Sequence, residues 1–301
     1  MILIGENIHV ISKTVREALA SRNENFICEL IKAQSNMDYA DLNVGPAKKD
    51  LEGILPWLAN IVKENSSLGI SFDTTNFEEM KRGIENFDGK TFINSVSKDE
   101  PRLSQMSDLA LEYGSNLVAL TLSKETGIPK SADGRLEIAF EIYEKLIEKG
   151  IDSEKIFFDP LILPVCADQS QGAEALNTVR MLKESFDPPV KTVIGLSNIS
   201  NGAVDRVLLN RVFAVLAYGA GIDAMIVDAK DLELVRIIKM LENEPKNETD
   251  NLYKNIAQTI TDFGEINDLD FDKNSDEQVK IVKAVKILLN REIYSHSFTQ
   301  I

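Results

Sequence analysis

The chain has 301 residues, 44% of them hydrophobic and 27% charged, enough for one large barrel or two average domains and outside the range of disordered sequences. Lys and Arg total 33 against 48 Asp and Glu, and the net charge of −15 argues against nucleic-acid backbones and anionic membrane surfaces as partners. Two cysteines, Cys28 and Cys166, exclude a disulfide framework and a four-thiolate zinc site.

The start, MILIGENIHV, lacks the charged region of a signal peptide, and no apolar run approaches the ~18 residues of a membrane span. The expectation is a cytoplasmic chain. In chain order, short apolar runs at Ile2–Gly5, Tyr39–Val44, Leu68–Phe72 and Thr91–Ile93 predict four strands. Leu117–Leu122, Ile156–Phe158, Val190–Leu196 and Ile222–Val227 predict four more. Helical spacing fills the intervals at Asn25–Ser35, Asp50–Asn65, Asn76–Asn86, Leu103–Tyr113, Leu136–Lys149, Gln171–Ser185 and Asp205–Tyr218, and Leu232–Leu241 follows the last run.

Strand–helix alternation predicts parallel strands, because a parallel connection needs a crossover and a helix is the usual one. Eight repeats predict an α/β fold, a closed (β/α)8 TIM barrel forming a single domain over residues 1–301. The rival, an open doubly wound sheet, lacks both GxGxxG and GxxxxGK[ST]. The rhythm breaks at about 242–278, where residues 261–277 hold seven acids and one lysine. This segment reads as an acidic surface excursion, with a partner-docking surface as the alternative. A C-terminal helix at 279–290 then packs back on the barrel.

In such a barrel the strand C-termini form the functional mouth. The eight strands end in Glu6-Asn7, Asp41-Leu42-Asn43, Asp73, Asn94-Ser95, Thr121, Asp159-Pro160, Ser197-Asn198 and Asp228. Any one of these residues could simply cap the next helix, but all eight together point to a polar site. Carboxylates and carboxamides suit a flat, donor-rich heterocycle, since carboxylates accept paired N–H groups and asparagine both donates and accepts. No metal site is expected: His9 and His296 form no HExxH or His–Cys cluster, and Mg²⁺ usually accompanies phosphate-binding loops that this sequence lacks. A Ser–His–Asp triad would need His9 and has no GxSxG elbow.

IGEN near the start, DLNVGP at 41–46, FDTTN at 72–76, INS at 93–95, DPLILP at 159–164 and GLSNIS at 195–200 occur in this order. Together they resemble the pterin-binding barrel of the methyltetrahydrofolate:corrinoid protein methyltransferases, from residue 1 to about 240 and again near 287–298. DPLILP and GLSN(I/V)S are specific to that group; DLNVGP and FD-x-T are shared with the folate module of methionine synthase and with dihydropteroate synthase. The latter carries STRPG where this chain reads VGPAKKD, and a late Lys–Arg pair with no match in this chain. The corrinoid-binding DxHxxG motif is also absent.

The resemblance implies methyl transfer between methyltetrahydrofolate, as substrate, and the cobalamin-type corrinoid of a separate partner protein, in one-carbon metabolism and by a homodimer without a bound metal. Alternatives are a dihydropteroate-synthase-like condensation and a non-catalytic pterin-binding protein. It further implies that Asp73, Asn94 and Asp159 hydrogen-bond the pterin, that Gly195 and Ser197 flank it, and that Asn198 both binds it and is catalytic. Glu6, Asn201 and Arg206 are supporting contacts, and Asp41 and Asn43 are either ligand contacts or strand-end structure. Two departures stand out: Asn7 occupies a position often basic in the family, and the acidic excursion is long.

Overall fold

Each apolar run becomes a strand and each amphipathic stretch the helix that covers it. The computed structural model describes residues 1–47 and 51–300. The first half comprises β1 (Ile2–His9), α1 (Lys13–Ala20), α2 (Glu24–Lys32), β2 (Tyr39–Gly45), α3 (Ile54–Asn65), β3 (Gly69–Thr74), α4 (Phe77–Glu85), β4 (Thr91–Val96) and α5 (Arg102–Tyr113). The second half comprises β5 (Asn116–Leu120), α6 (Ala132–Glu148), β6 (Ile156–Asp159), α7 (Ser170–Ser185), β7 (Lys191–Gly195), α8 (Arg206–Gly219), β8 (Ala224–Val227), α9 (Leu232–Leu241), α10 (Glu248–Thr261) and α11 (Asp276–Leu288). The strands pair in parallel in chain order, and β8 closes on β1 with Leu3 beside Met225. The fold is the (β/α)8 barrel expected.

The barrel interior explains why the mouth is polar. Ile4, Tyr39, Phe92, Val118, Phe157, Val193 and Ala224 fill it as one buried cluster. Tyr39 and Phe157 meet Phe92 edge to face, with centroids 4.9 and 4.8 Å away, the geometry aromatic quadrupoles favour. Successive strand residues alternate faces. The residues two positions later, Glu6, Asp41, Asn94, Asp159 and Gly195, therefore lie one layer nearer the C-terminal ends. An apolar plug seals the barrel, and a polar layer sits above it. Outward-facing Leu42, Ile70, Phe72, Ile93 and Phe158 join the larger core beneath the helices.

Several boundaries differ from the sequence reading. The first strand continues to His9 because its polar Glu6 and Asn7 face the mouth while Ile8 is buried. Helix α1, which the periodicity did not predict, is short and buries only Val15, Ala18 and Leu19. Helix α6 starts at Ala132, where the Ser131 side chain accepts the Gly134 N–H as an N-cap. Asp50, the predicted start of the second helical stretch, lies with Lys48 and Lys49 outside the described residues.

Within 242–278, α10 buries Leu252, Tyr253, Ile256, Ala257 and Ile260. It lies so close to α8 that a Cβ on Gly219 would fall 2.5 Å from the Ala257 carbonyl oxygen. Buried Asp250 accepts a 2.8 Å bond from Arg236 of α9. The exposed acidic stretch is thus confined largely to the turn-rich residues between α10 and α11.

Candidate active site

The strand ends surround an open cavity of about 760 Å³. All nine residues singled out from the sequence line it: Glu6, Asp73, Asn94, Asp159, Gly195, Ser197, Asn198, Asn201 and Arg206. Asp41, Asn43, His9 and Asp228 line it as well. Thr121 does not; it is buried and donates from its hydroxyl to the Asp159 carbonyl oxygen at 2.9 Å.

The floor is a set of carboxylates held by neutral donors. Asp41 is buried and accepts from the Ser71 hydroxyl at 2.6 Å, with the Asn94 amide at 3.5 Å from the same oxygen. The Asn43 amide donates to Asp73. Asp159 accepts the Leu161 N–H at 2.8 Å through Oδ1. Leu161 sits at φ +62°, an unfavourable region for a branched side chain, in the turn that orients Asp159.

Arg102 supports this floor from behind, donating to the carbonyls of Ser95 at 2.7 Å, Thr75 at 3.1 Å and Thr74 at 2.8 Å. It thereby ties the ends of β3 and β4 together. The sequence reading missed Arg102, since its partners are backbone atoms that no motif records.

The opposite wall is the 3-10 turn Leu196–Ser200 after β7. Arg206 donates to the Asn201 side-chain oxygen at 2.9 Å and to the Ser200 hydroxyl at 3.1 Å. The Asn201 amide in turn points to Asn198 Oδ1 at 3.4 Å. With its oxygen so engaged, Asn198 keeps its NH₂ as the available donor. Gly195 leaves room for that group, because a Cβ there would stand 3.1 Å from Asn198 Nδ2. Across the mouth, Ser197 donates to Glu6 Oε2 at 3.1 Å, and Asn7 bridges to Asp228 at 2.6 Å and to the Ala229 N–H at 3.0 Å.

Burial dominates the electrostatics. It raises Asp73 and Asp159 to about 6 each, against partial relief from Asn43 and Arg102 for the first and from the Leu161 N–H and Arg135 for the second. Burial and the neighbouring Asp73 push Asp41 well above the usual carboxylate range. Glu6 is raised to about 7, chiefly by burial.

These shifts give stability a definite pH dependence. Folded pKa values above the unfolded ones mean that the folded chain binds more protons between about pH 4 and pH 7. The stabilisation is complete below the unfolded values and is lost as pH rises through 6 to 7. Urea unfolding should therefore show Asp73→Asn stabilised relative to wild type by about 1–2 kcal/mol at pH 8 and by little near pH 4. Equal differences at both pH values would refute the assigned shift.

Among the described residues, no group of three or more His, Cys, Asp or Glu is arranged to hold a metal ion, and no helix is long and apolar enough to cross a membrane. A family model described as pterin binding enzyme matches residues 36–228. The methionine synthase of Mycobacterium tuberculosis is 30% identical over 247 residues, which cover 77% of this chain but 21% of that protein. The Eubacterium limosum methylcorrinoid:tetrahydrofolate methyltransferase is 25% identical over 243 residues, covering 79% of this chain and 89% of the relative. A Yersinia pestis dihydropteroate synthase structure superposes with a TM-score of 0.59 at 11% identity, covering 80% of this chain and 93% of that one. That likeness is one of fold alone.

Proposed function

Because this chain belongs to the pterin-binding enzyme family, we propose that it binds methyltetrahydrofolate at the barrel mouth and moves the N5-methyl group between that folate and the Co(I) corrinoid of a separate corrinoid protein. The observation that carries this reading is one cavity in which a half-buried carboxylate, Asp159, stands with an oriented carboxamide donor, Asn198. The name of the Eubacterium limosum relative supports it.

In this reading Asp159 accepts the 2-amino and N3–H donors of the pterin, a paired contact that uses both carboxylate oxygens. Asp73 and Asn94 bond further polar atoms of the ring, and Gly195 and Ser197 lie against it. Asn201 and Arg206 hold Asn198, whose NH₂ donates to N5. The chemical difficulty is a poor amine leaving group, so a hydrogen bond that strengthens as charge changes on N5 lowers the barrier. The corrinoid is a substrate: its reduced metal supplies the electron pair for the new bond to carbon in an SN2 displacement. The open mouth leaves the methyl group reachable by a partner protein, and a homodimer and a cytoplasmic location complete the proposal.

The test sets this reaction against the condensation carried out on the same fold. Purified chain is offered methyltetrahydrofolate with reduced cobalamin, and separately a pterin diphosphate with 4-aminobenzoic acid. Turnover of the first pair alone is expected; condensation of the second would overturn the assignment.

A further inference from the structure

We propose that Glu6 holds the proton that reaches N5 and passes it through the Ser197 hydroxyl, an inference that rests on the methyltransferase reading above. A tertiary amine leaves only as the protonated species, and a carboxamide such as Asn198 donates a hydrogen bond without giving up its proton. A titrating group must therefore supply it.

The cavity offers few candidates. Asp159 and Asp73 belong to the ring-binding floor and are engaged by the Leu161 N–H and by Asn43. Asp41 is buried and engaged by the Ser71 hydroxyl, with the Asn94 amide 3.5 Å from the same oxygen. His9 accepts the Ile11 N–H at Nδ1, and burial lowers its pKa, so its remaining N–H belongs to a neutral ring. Asp228 is exposed and engaged by Asn7 and by the Lys230 N–H. Of these acidic and imidazole groups, Glu6 is the one that joins the wall carrying Asn198, through the 3.1 Å contact to Ser197, the residue immediately before it.

The groups acting on Glu6 come from several elements. Asp228 after β8 and Asp41 on β2 disfavour its anion, while Arg206 and the Ser197 hydroxyl favour it. Burial outweighs all of these, so Glu6 is pushed up to about 7 and retains a proton near neutral pH, where an ordinary glutamate would not.

The step balances as follows. The Glu6 carboxyl proton moves to Ser197 Oγ as the Ser197 hydroxyl proton moves to the N5 lone pair, leaving a Glu6 carboxylate and a cationic N5. The N5–CH₃ bond then breaks with its electron pair remaining on nitrogen, where the Asn198 NH₂ donates to the pair as it develops and N5 becomes a neutral N–H amine, while the reduced corrinoid supplies the pair for the new bond to the methyl carbon. Solvent returns the proton to Glu6 through the open mouth.

The test is single-turnover methyl transfer from methyltetrahydrofolate to reduced cobalamin across about pH 5.5 to 8.5, with direct folate binding measured in parallel. For wild type the rate should fall towards tenfold per pH unit above about 7. Glu6→Gln should slow transfer at least about tenfold near pH 6, abolish that limb and leave the folate Kd within about threefold. Any pH dependence belonging to the folate or the corrinoid survives the substitution. Glu6→Asp should restore a titrating limb, and Ser197→Ala should show the same loss as Glu6→Gln. Carbon-13 NMR of glutamate-labelled protein should show one carboxyl, absent from Glu6→Gln, titrating near 7. Wild-type transfer with an unaltered rate and limb in Glu6→Gln or Ser197→Ala overturns the proposal alone. Failure of wild type to bind methyltetrahydrofolate overturns both the function and the role of Glu6 in proton delivery.

Discussion

Asp159→Asn should weaken methyltetrahydrofolate binding by about 10²–10³-fold at pH 7.5. A carboxylate facing two N–H donors makes two charge-assisted hydrogen bonds, each worth roughly 1.5–3 kcal/mol. Asparagine keeps one acceptor oxygen, which can still take the Leu161 N–H that shapes the turn. Its NH₂, however, would face a ligand N–H, a donor against a donor. A net loss of about 3–4 kcal/mol corresponds to that range in Kd. Folding should not suffer, since removing a half-buried carboxyl raised to about 6 removes a group that is unfavourable when ionised. Wild-type affinity should itself decline below about pH 6 as Asp159 takes up its proton. Isothermal titration of both proteins decides the point, and a loss smaller than about tenfold would count against the paired contact.

Asn198→Ala should act on the other half of the reaction, slowing single-turnover methyl transfer by about 10²-fold while changing the folate Kd by no more than about threefold. The separation follows from the site. In the proposed binding mode ring affinity comes from the floor, whereas the Asn198 NH₂ meets the electron pair that N5 gains as the C–N bond breaks. Removing one preorganised donor of that kind typically costs about 10²–10³ in rate. The amide is preorganised by a chain that begins at Arg206 and passes through Asn201 to Asn198 Oδ1. Less than about tenfold, roughly 1.4 kcal/mol, would show that Asn198 does not stabilise the transition state.

The barrel was legible because a parallel strand buried on both faces is a compact apolar run, and eight such runs each precede an amphipathic stretch. The mouth was legible for a related reason. Phe92-x-Asn94, Phe157-x-Asp159 and Tyr39-x-Asp41 alternate on one face, so the residue above the interior plug is polar in each. Where this grammar failed, the physical causes are specific. The apolar run of β1 stops at Gly5 because Glu6 and Asn7 interrupt its hydrophobicity, although they are the part of the strand that reaches the cavity. Helix α1 buries too few residues to stand out as a period. Arg102 acts through three backbone carbonyls, and the proximity of Glu6 to Ser197 joins residues 191 positions apart. Burial, which sets the protonation of the site carboxyls, is a property of closure that no short string of residues contains.

The most direct measurement is a titration of the purified chain with methyltetrahydrofolate, followed by reduced cobalamin while visible absorbance is recorded. Saturable binding, with the Co(I) spectrum replaced by that of methylcobalamin at a rate proportional to the bound folate, is the expected result. A chain that leaves methyltetrahydrofolate unbound would contradict the assignment of the barrel mouth to this substrate.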